Sequence, residues 1–290
     1  MSNYKIITDS TSDLSLELVS QMDVHIIPMI YTIDGKDYHN TVDEKELSSH
    51  DFYNLMRKGK NTSTVQINGE IFKNEVRQYL DAGLNILYLV FSSGLSGTYN
   101  SVKIASEDLK EEYPERKIII VDTLAASMGE GLLVYYADEL YKQGKTIEET
   151  SKWVEDNKLN LAQWFTVDDL HFLNRGGRVS TTAAVVGTLL SIKPVLHVDD
   201  EGHLIMMEKV RGRKQSLKIL VDHMEKVIIN PEKQTIFISH GDCPKDCEYV
   251  KKLIKERFGI EKMYSNTIGP VIGSHSGPNT IALFFLGEKR

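Results

Sequence analysis

The sequence predicts an α/β protein in two domains, an N-terminal mostly parallel α/β/α sheet over residues 1–158 and a C-terminal α+β domain with antiparallel strands over residues 159–290. Three observations predict it. Short β-branched runs alternate with segments of helical period through the first half, as parallel strands covered by helices require. In the second half two strand-like runs flank Asp200-Glu201-Gly202, the signature of an antiparallel hairpin and not of a crossover. A chain of 290 residues, at roughly 150 per domain, has room for two hydrophobic cores.

Each element has a local reason. Residues 4–8 read as a first strand, and the run Asp9-Ser10-Thr11-Ser12-Asp13 offers N-caps to a helical pattern marked by Leu14, Leu18 and Met22. Residues 24–33 read as one strand, turned back at Asp34-Gly35 through residues 36–38 in a hairpin. A helix is expected over 45–57, a loop over Asn61-Thr62-Ser63-Thr64, and a second helix over 68–81 closed by Gly83. The continuous apolar run 85–91 reads as a buried strand, followed by the loop Ser92 to Thr98, a helix to about 109 and a strand over 117–121. A helix over 128–143 stops at Gly144, and Thr146 and Glu149 stand at capping-box spacing for another that runs to 157. The domain boundary is placed there. Beyond it come a hairpin over 193–198 and 203–210, helices over 215–229 and 245–257, and strands over 235–239, 260–265 and 281–286. The apolar stretch 182–192 and the Met206-Met207 pair read as core or as the wall of an apolar pocket.

Composition excludes several function classes. The longest apolar runs, residues 84–91 and 281–286, fall far short of the roughly 18 residues a transmembrane helix needs. Forty-one acidic against 34 basic residues leave a net charge of -7, without the basic footprint of a nucleic-acid binder. Acidic Asp9 comes before any signal-peptide apolar core forms, so the expected location is the cytoplasm, and the two cysteines are expected to be thiols and not a disulfide.

Small hydroxyl residues and glycines collect just after the strands of the first half, at 9–13, 92–98 and 122–127, on the edge that faces the ligand crevice in open α/β sheets. Hydroxyls and helix-start N–H groups suit a carboxylate or phosphate, and they equally suit helix capping and turns. Gly94-Leu95-Ser96-Gly97-Thr98 fails the G-x-S-x-G elbow, and neither a Walker A loop nor G-x-G-x-x-G occurs. His275, in Gly273-Ser274-His275-Ser276-Gly277-Pro278, sits in what reads as a glycine-rich loop, either near a ligand or bracing the loop itself. His240, Cys243 and Cys247 have part of a metal-site spacing with no fourth ligand in view, and no metal or other cofactor is expected. The runs Arg175-Gly176-Gly177-Arg178 and Arg211-Gly212-Arg213-Lys214 are either anion clamps or salt-bridged surface.

Several of these segments together resemble the DegV family of fatty-acid-binding proteins. They are, in family order, Thr8-Asp9-Ser10-Thr11-Ser12-Asp13-Leu14, Thr62-Ser63, residues 91–99, residues 175–178, Lys193-Pro194, residues 209–213 and the His275 segment. The chain departs from the family pattern at Thr64-Val65, where Gln-Pro is common, and at Asn279, where glycine is common.

The resemblance implies a long-chain fatty acid buried between the two domains with its carboxylate held by hydroxyls. By motif position the ligands are Thr62 and Ser93, with Ser63 and Ser96 as neighbours, and with Arg175, Arg178, Arg213 and His275 framing the head group or meeting a partner. It also implies that a separate ATP-using fatty acid kinase phosphorylates the presented carboxylate, so that the chain itself is a carrier in lipid transport or fatty acid metabolism and not an enzyme. The competing expectation is a stand-alone enzyme acting on a small acyl or anionic substrate at the loop 92–98.

Overall fold

The computed structural model describes residues 3–180 and 191–290. Most of the apolar stretch 182–192 therefore lies outside the described residues.

Strand β1 (Tyr4–Asp9) ends in a 3-10 turn, Ser10–Ser12, capped by the Asp9 side chain, and Ser15 then caps the short helix α1 (Leu16–Val19). The single strand expected over 24–33 is two, β2 (Val24–Ile27) and β3 (Met29–Ile33). Pro28, which has no N–H for a ladder, separates them, and the halves join different sheets. Asp34 and Gly35, both at positive φ, turn β3 into β4 (Lys36–Asn40) as the hairpin signal predicts. Helix α2 (Ser49–Arg57) starts four residues later than its apolar period suggests, because Ser48 caps it there.

Residues expected to form a loop are instead strand β5 (Thr62–Val65), antiparallel to β3. Helix α3 (Gly69–Asp81) is capped by Asn68 and closed by Gly83 at φ +84. Then follow β6 (Asn85–Val90), α4 (Thr98–Glu112), β7 (Ile118–Asp122), α5 (Met128–Lys142) and α6 (Ile147–Asn157), the last opened by the reciprocal Thr146–Glu149 capping box.

The second half adds β8 (Leu161–Thr166) and α7 (His171–Arg175), neither of which the sequence pattern announced. After them come β9 (Ile192–Val198), β10 (Leu204–Arg211), α8 (Arg213–Val227), β11 (Ile236–His240), α9 (Pro244–Phe258), β12 (Met263–Thr267), α10 (Pro270–Ser276) and β13 (Ile281–Leu286). The segment carrying His275 is thus a short helix, with Pro270 in its first turn, and not a loop.

Three sheets result. The parallel sheet has the order β2-β1-β6-β7, the six-stranded and mainly antiparallel sheet the order β10-β9-β8-β13-β11-β12, and a small antiparallel sheet the order β4-β3-β5. The strands before residue 158 make the first and third of these, and those after it make the second.

Helix α5 joins the halves. It is apolar nearly all round, as a helix covered on both sides must be, and its residues share one core with β1, β6, β8 and β13. Two glycines let it approach both layers: a Cβ on Gly129 would stand 2.8 Å from the Phe284 ring, and one on Gly131 would stand 2.6 Å from the Ser12 carbonyl oxygen. Of the methionine pair, Met206 packs on this core and Met207 points to solvent.

Candidate functional site

The three sheets leave between them a cavity of about 410 Å³, within the roughly 300–1,000 Å³ of small-molecule sites. Each wall comes from a different part of the chain. Met29, Thr64 and Val65 come from the small sheet, Phe91, Leu95 and Ser96 from the loop after β6, and Ala126 and Ser127 from the start of α5. Phe165, Ala282 and Phe284 face it from the six-stranded sheet, and Val271, Ile272 and His275 from α10. Most of the wall is hydrocarbon.

Four polar residues of the wall, Thr64, His275, Arg178 and Ser96, are neighbours. Thr64 Oγ1 and His275 Nε2 are 2.9 Å apart. The imidazole fits because Gly176 has no side chain, since a Cβ there would stand 2.3 Å from His275 Nδ1. Gly177, at φ +74, then ends α7 in a left-handed turn that sends Arg178 back over the loop after β6. There Arg178 Nε and Nη2 donate to the Leu95 carbonyl at 3.1 and 3.0 Å, and Nη1 donates to the Gly176 carbonyl. No carboxylate among the described residues pairs with this guanidinium. Val65 and Gln66, both solvent-exposed, also line the cavity, so its mouth lies on this side.

Electrostatics follow from that placement. Burial, with the Arg178 and Arg175 charges adding to it, pushes the His275 imidazole down to about 4, so it is neutral at pH 7. Burial also lowers the Arg178 guanidinium from its ordinary value, but an arginine remains charged. Among the described lining residues the cavity therefore presents one fixed cation, Arg178, a neutral imidazole and the Thr64 and Ser96 hydroxyls in an otherwise mainly apolar chamber, whose wall also carries Ser127, Gln163, Ser276 and Thr280. A cation and hydroxyls grouped in an apolar chamber suit an anionic head group on an apolar tail.

The family model that describes DegV proteins, a family of uncharacterised function, matches residues 3–288. The chain belongs to the DegV family. It is 48% identical over 290 residues to a DegV domain-containing protein from Clostridium perfringens, covering 100% of this chain and 99% of that one. Among solved structures it resembles a DegV lipid binding protein from Thermotoga maritima, with a TM-score of 0.87, 28% identity and 100% of both chains covered. It also resembles a fatty-acid-binding DegV protein from Thermus thermophilus, with a TM-score of 0.86 and 28% identity over 98% of this chain and 99% of that one.

The DegV motifs divide between the cavity and its supports. Of the residues singled out in the sequence, Ser96, Arg178 and His275 line the cavity, whereas Thr62, Ser63, Ser93, Arg175 and Arg213 do not. Thr62 Oγ1 is buried without a hydrogen-bond partner among the described residues, and Ser63 bonds Thr32 on the neighbouring strand. The Ser93 amide donates to Asp122 at 3.1 Å. Arg175 lies on the surface with its guanidinium 5.3 Å from the Phe172 ring. Arg213 is held by Asp246 at 2.8 Å and by the Asn279 carbonyl, the salt-bridged alternative for that run.

Thr64 is the residue that the motif comparison passed over. It stands at the position where the chain departs from the family pattern; β5's pleat sets Thr62 and Thr64 on the same face, and only Thr64 reaches His275 and the cavity. Ser96 has two roles, since its Oγ also accepts from the Thr98 amide at the start of α4, so capping and cavity wall are one residue. Ser92 supports the loop from behind, donating to the Gly202 carbonyl at 2.9 Å and tying it to the β9–β10 hairpin.

Both cysteines are thiols, pushed up to about 12 at Cys243 and about 11 at Cys247 by burial. Cys243 donates to the Thr280 carbonyl, and no group of three or more metal-ligating side chains is assembled among the described residues. None of the described helices is long and apolar enough to cross a membrane.

Proposed function

We propose that this protein binds a long-chain fatty acid, with the acyl chain in the cavity and the carboxylate at the end formed by Thr64, Ser96, Arg178 and His275. The observation that carries this reading is Arg178, a half-buried cation whose three hydrogen bonds all go to neutral carbonyl oxygens at the end of an apolar chamber. A fifteen-carbon tail at about 0.8 kcal/mol per buried CH₂ gives roughly 12 kcal/mol of gross transfer free energy, so the wall provides the affinity and the polar end fixes direction. That the Thermotoga and Thermus relatives are described as lipid- and fatty-acid-binding agrees with it.

In this reading the ligand lies between two domains, residues 1–158 and 159–290, and the protein is a carrier that presents the carboxylate to a separate ATP-using fatty acid kinase. Two features support the carrier role. The polar end opens at Val65 and Gln66, and the sequence has no phosphate-binding loop of its own. Mass spectrometry of the lipid extracted from protein purified without added ligand tests the reading. A stoichiometric C14–C20 fatty acid is expected, and an extract without one, from protein that also takes up neither palmitate nor oleate, would overturn it.

A further inference from the structure

Behind the cavity wall three carboxyl groups are buried together, Asp9, Asp13 and Glu130, and no lysine or arginine among the described residues pairs with any of them. Asp9 and Glu130 serve each other. The single Thr11 hydroxyl proton faces an oxygen of both, Asp9 Oδ1 and Glu130 Oε2, so one of those contacts needs a proton on the carboxyl side. Asp13 is different, because both partners of its side chain start other helices. Its Oδ1 accepts from the Gly269 amide at 2.8 Å, the N-cap of α10. Its Oδ2 accepts from Ser127 Oγ, which lines the cavity at the start of α5 and is itself 2.8 Å from Ser239 Oγ on β11. Its carbonyl accepts from the Asn266 side chain on β12 at 2.9 Å.

We propose that Asp13 is a positioning residue of the fatty-acid site, a buried carboxylate that ties the start of α10, and so His275, to the start of α5 at the cavity wall, and whose charge state sets how firmly the ligand is held. The proposal rests on the fatty-acid reading of the cavity. The physical reason is that hydrogen bonds to an ionised acceptor are roughly twice as strong as neutral ones, so a proton on Asp13 loosens both helix starts together. The groups facing Asp13 do not oppose protonation. Asp9 from β1 disfavours its ionisation, Glu130 from α5 is itself raised well above its ordinary value by burial, Tyr53 from α2 is a neutral phenol, and among the described residues α10, β11 and β12 present an amide N–H, a serine and an asparagine. Burial in that company pushes the Asp13 carboxyl up to about 7, inside the range where a modest pH change titrates it.

The test compares wild type with Asp13→Asn, a near-isosteric change that suits the left-handed backbone at this position, φ +50. Exchange of bound palmitate is followed between pH 6 and 8, together with hydrogen exchange at the Gly269 amide, which needs no ligand. The wild type is expected to release palmitate about five- to tenfold faster as pH falls through 7, and the variant to release it fast at every pH with Gly269 deprotected. A variant that keeps the wild-type pH profile, or equal protection of Gly269 in both proteins at pH 8, would overturn the proposal. A wild type that takes up no palmitate at any pH would overturn the fatty-acid reading instead, and the Gly269 amide would still decide the clamp.

Discussion

Replacing Arg178 by methionine keeps an unbranched side chain over the Leu95 loop and removes the one fixed cation among the described residues of the cavity wall. A guanidinium has five N–H donors, and the structure commits three of them, at Nε, Nη2 and Nη1, to the Leu95 and Gly176 carbonyls. Among the described residues the other two, one on each terminal nitrogen, have no protein partner and can donate to a carboxylate. One charge-assisted hydrogen bond contributes about 1.5–3 kcal/mol, so losing the head-group contact should raise the Kd for palmitate by roughly 10- to 150-fold. The ligand-free protein should not suffer in proportion, because the same change removes a half-buried charge that no carboxylate neutralises. Displacement of a fluorescent fatty acid from delipidated protein measures the affinity, and thermal unfolding measures the stability. Arg175→Met, at the exposed neighbour stacked on Phe172, is the control and should leave the Kd within about threefold of wild type, the range of a surface contact. An Arg178→Met protein that also binds within threefold of wild type would refute the reasoning.

Thr64→Val should weaken palmitate about tenfold through loss of a hydroxyl donor to the carboxylate, whereas Thr62→Val, which removes a buried hydroxyl that has no partner among the described residues, should leave binding unchanged and stability equal or higher, both read by titration and melting. Ala282→Leu, which adds bulk to the cavity wall, should reduce binding of stearate more than of laurate, measured as the ratio of the two affinities. His275→Gln should flatten part of the acid limb of stability. The folded imidazole sheds its proton down to about 4 and the unfolded one near 6.5, so its contribution is present above 6.5 and is lost as pH falls towards 4, by about 3 kcal/mol at roughly 1.4 kcal/mol per pKa unit. Asp13 has the opposite sign, since a carboxyl raised to about 7 contributes stability below its unfolded pKa that is lost as pH rises through 7. Urea unfolding of ligand-free wild type and variants between pH 4 and 8 separates the two.

Much of the fold is written locally. The strand Ile281–Leu286, the Thr146–Glu149 capping box, the Gly83 stop and the β9–β10 hairpin each follow from neighbours in sequence, and each stands where the sequence places it. What is hidden depends on partners far along the chain. Strand β8 has all six residues buried because α5 and α8 cover its two faces, and with Gln163 inside it the segment shows no alternation to read. Strand β5 is only four residues, Thr-Ser-Thr-Val, whose strand-favouring Thr and Val follow Asn61 with too short a run to read and are fixed as a strand by pairing with β3, and α10 carries two glycines, Gly269 before it and Gly273 within it, that read as a loop. The site shows the same division. His275 and the Arg-Gly-Gly-Arg run were legible as chemistry, but that Thr64, and not Thr62, lines the cavity beside His275 follows only from how the small sheet is placed. The segment around Asp13 was visible as N-caps, as crevice-edge hydroxyls and as a family motif, but its carboxyl cluster was not, because what distinguishes it, burial against α5 and α10, is tertiary.

The most direct test of the account is the ¹³C resonance of carboxyl-labelled palmitate added to delipidated protein and titrated with acid. The account predicts a stoichiometric bound signal that stays ionised well below the ordinary carboxyl value of about 4, and that titrates at higher pH in Arg178→Met. Absence of a bound signal, or a bound carboxyl that titrates in its ordinary range and ignores Arg178, would contradict it.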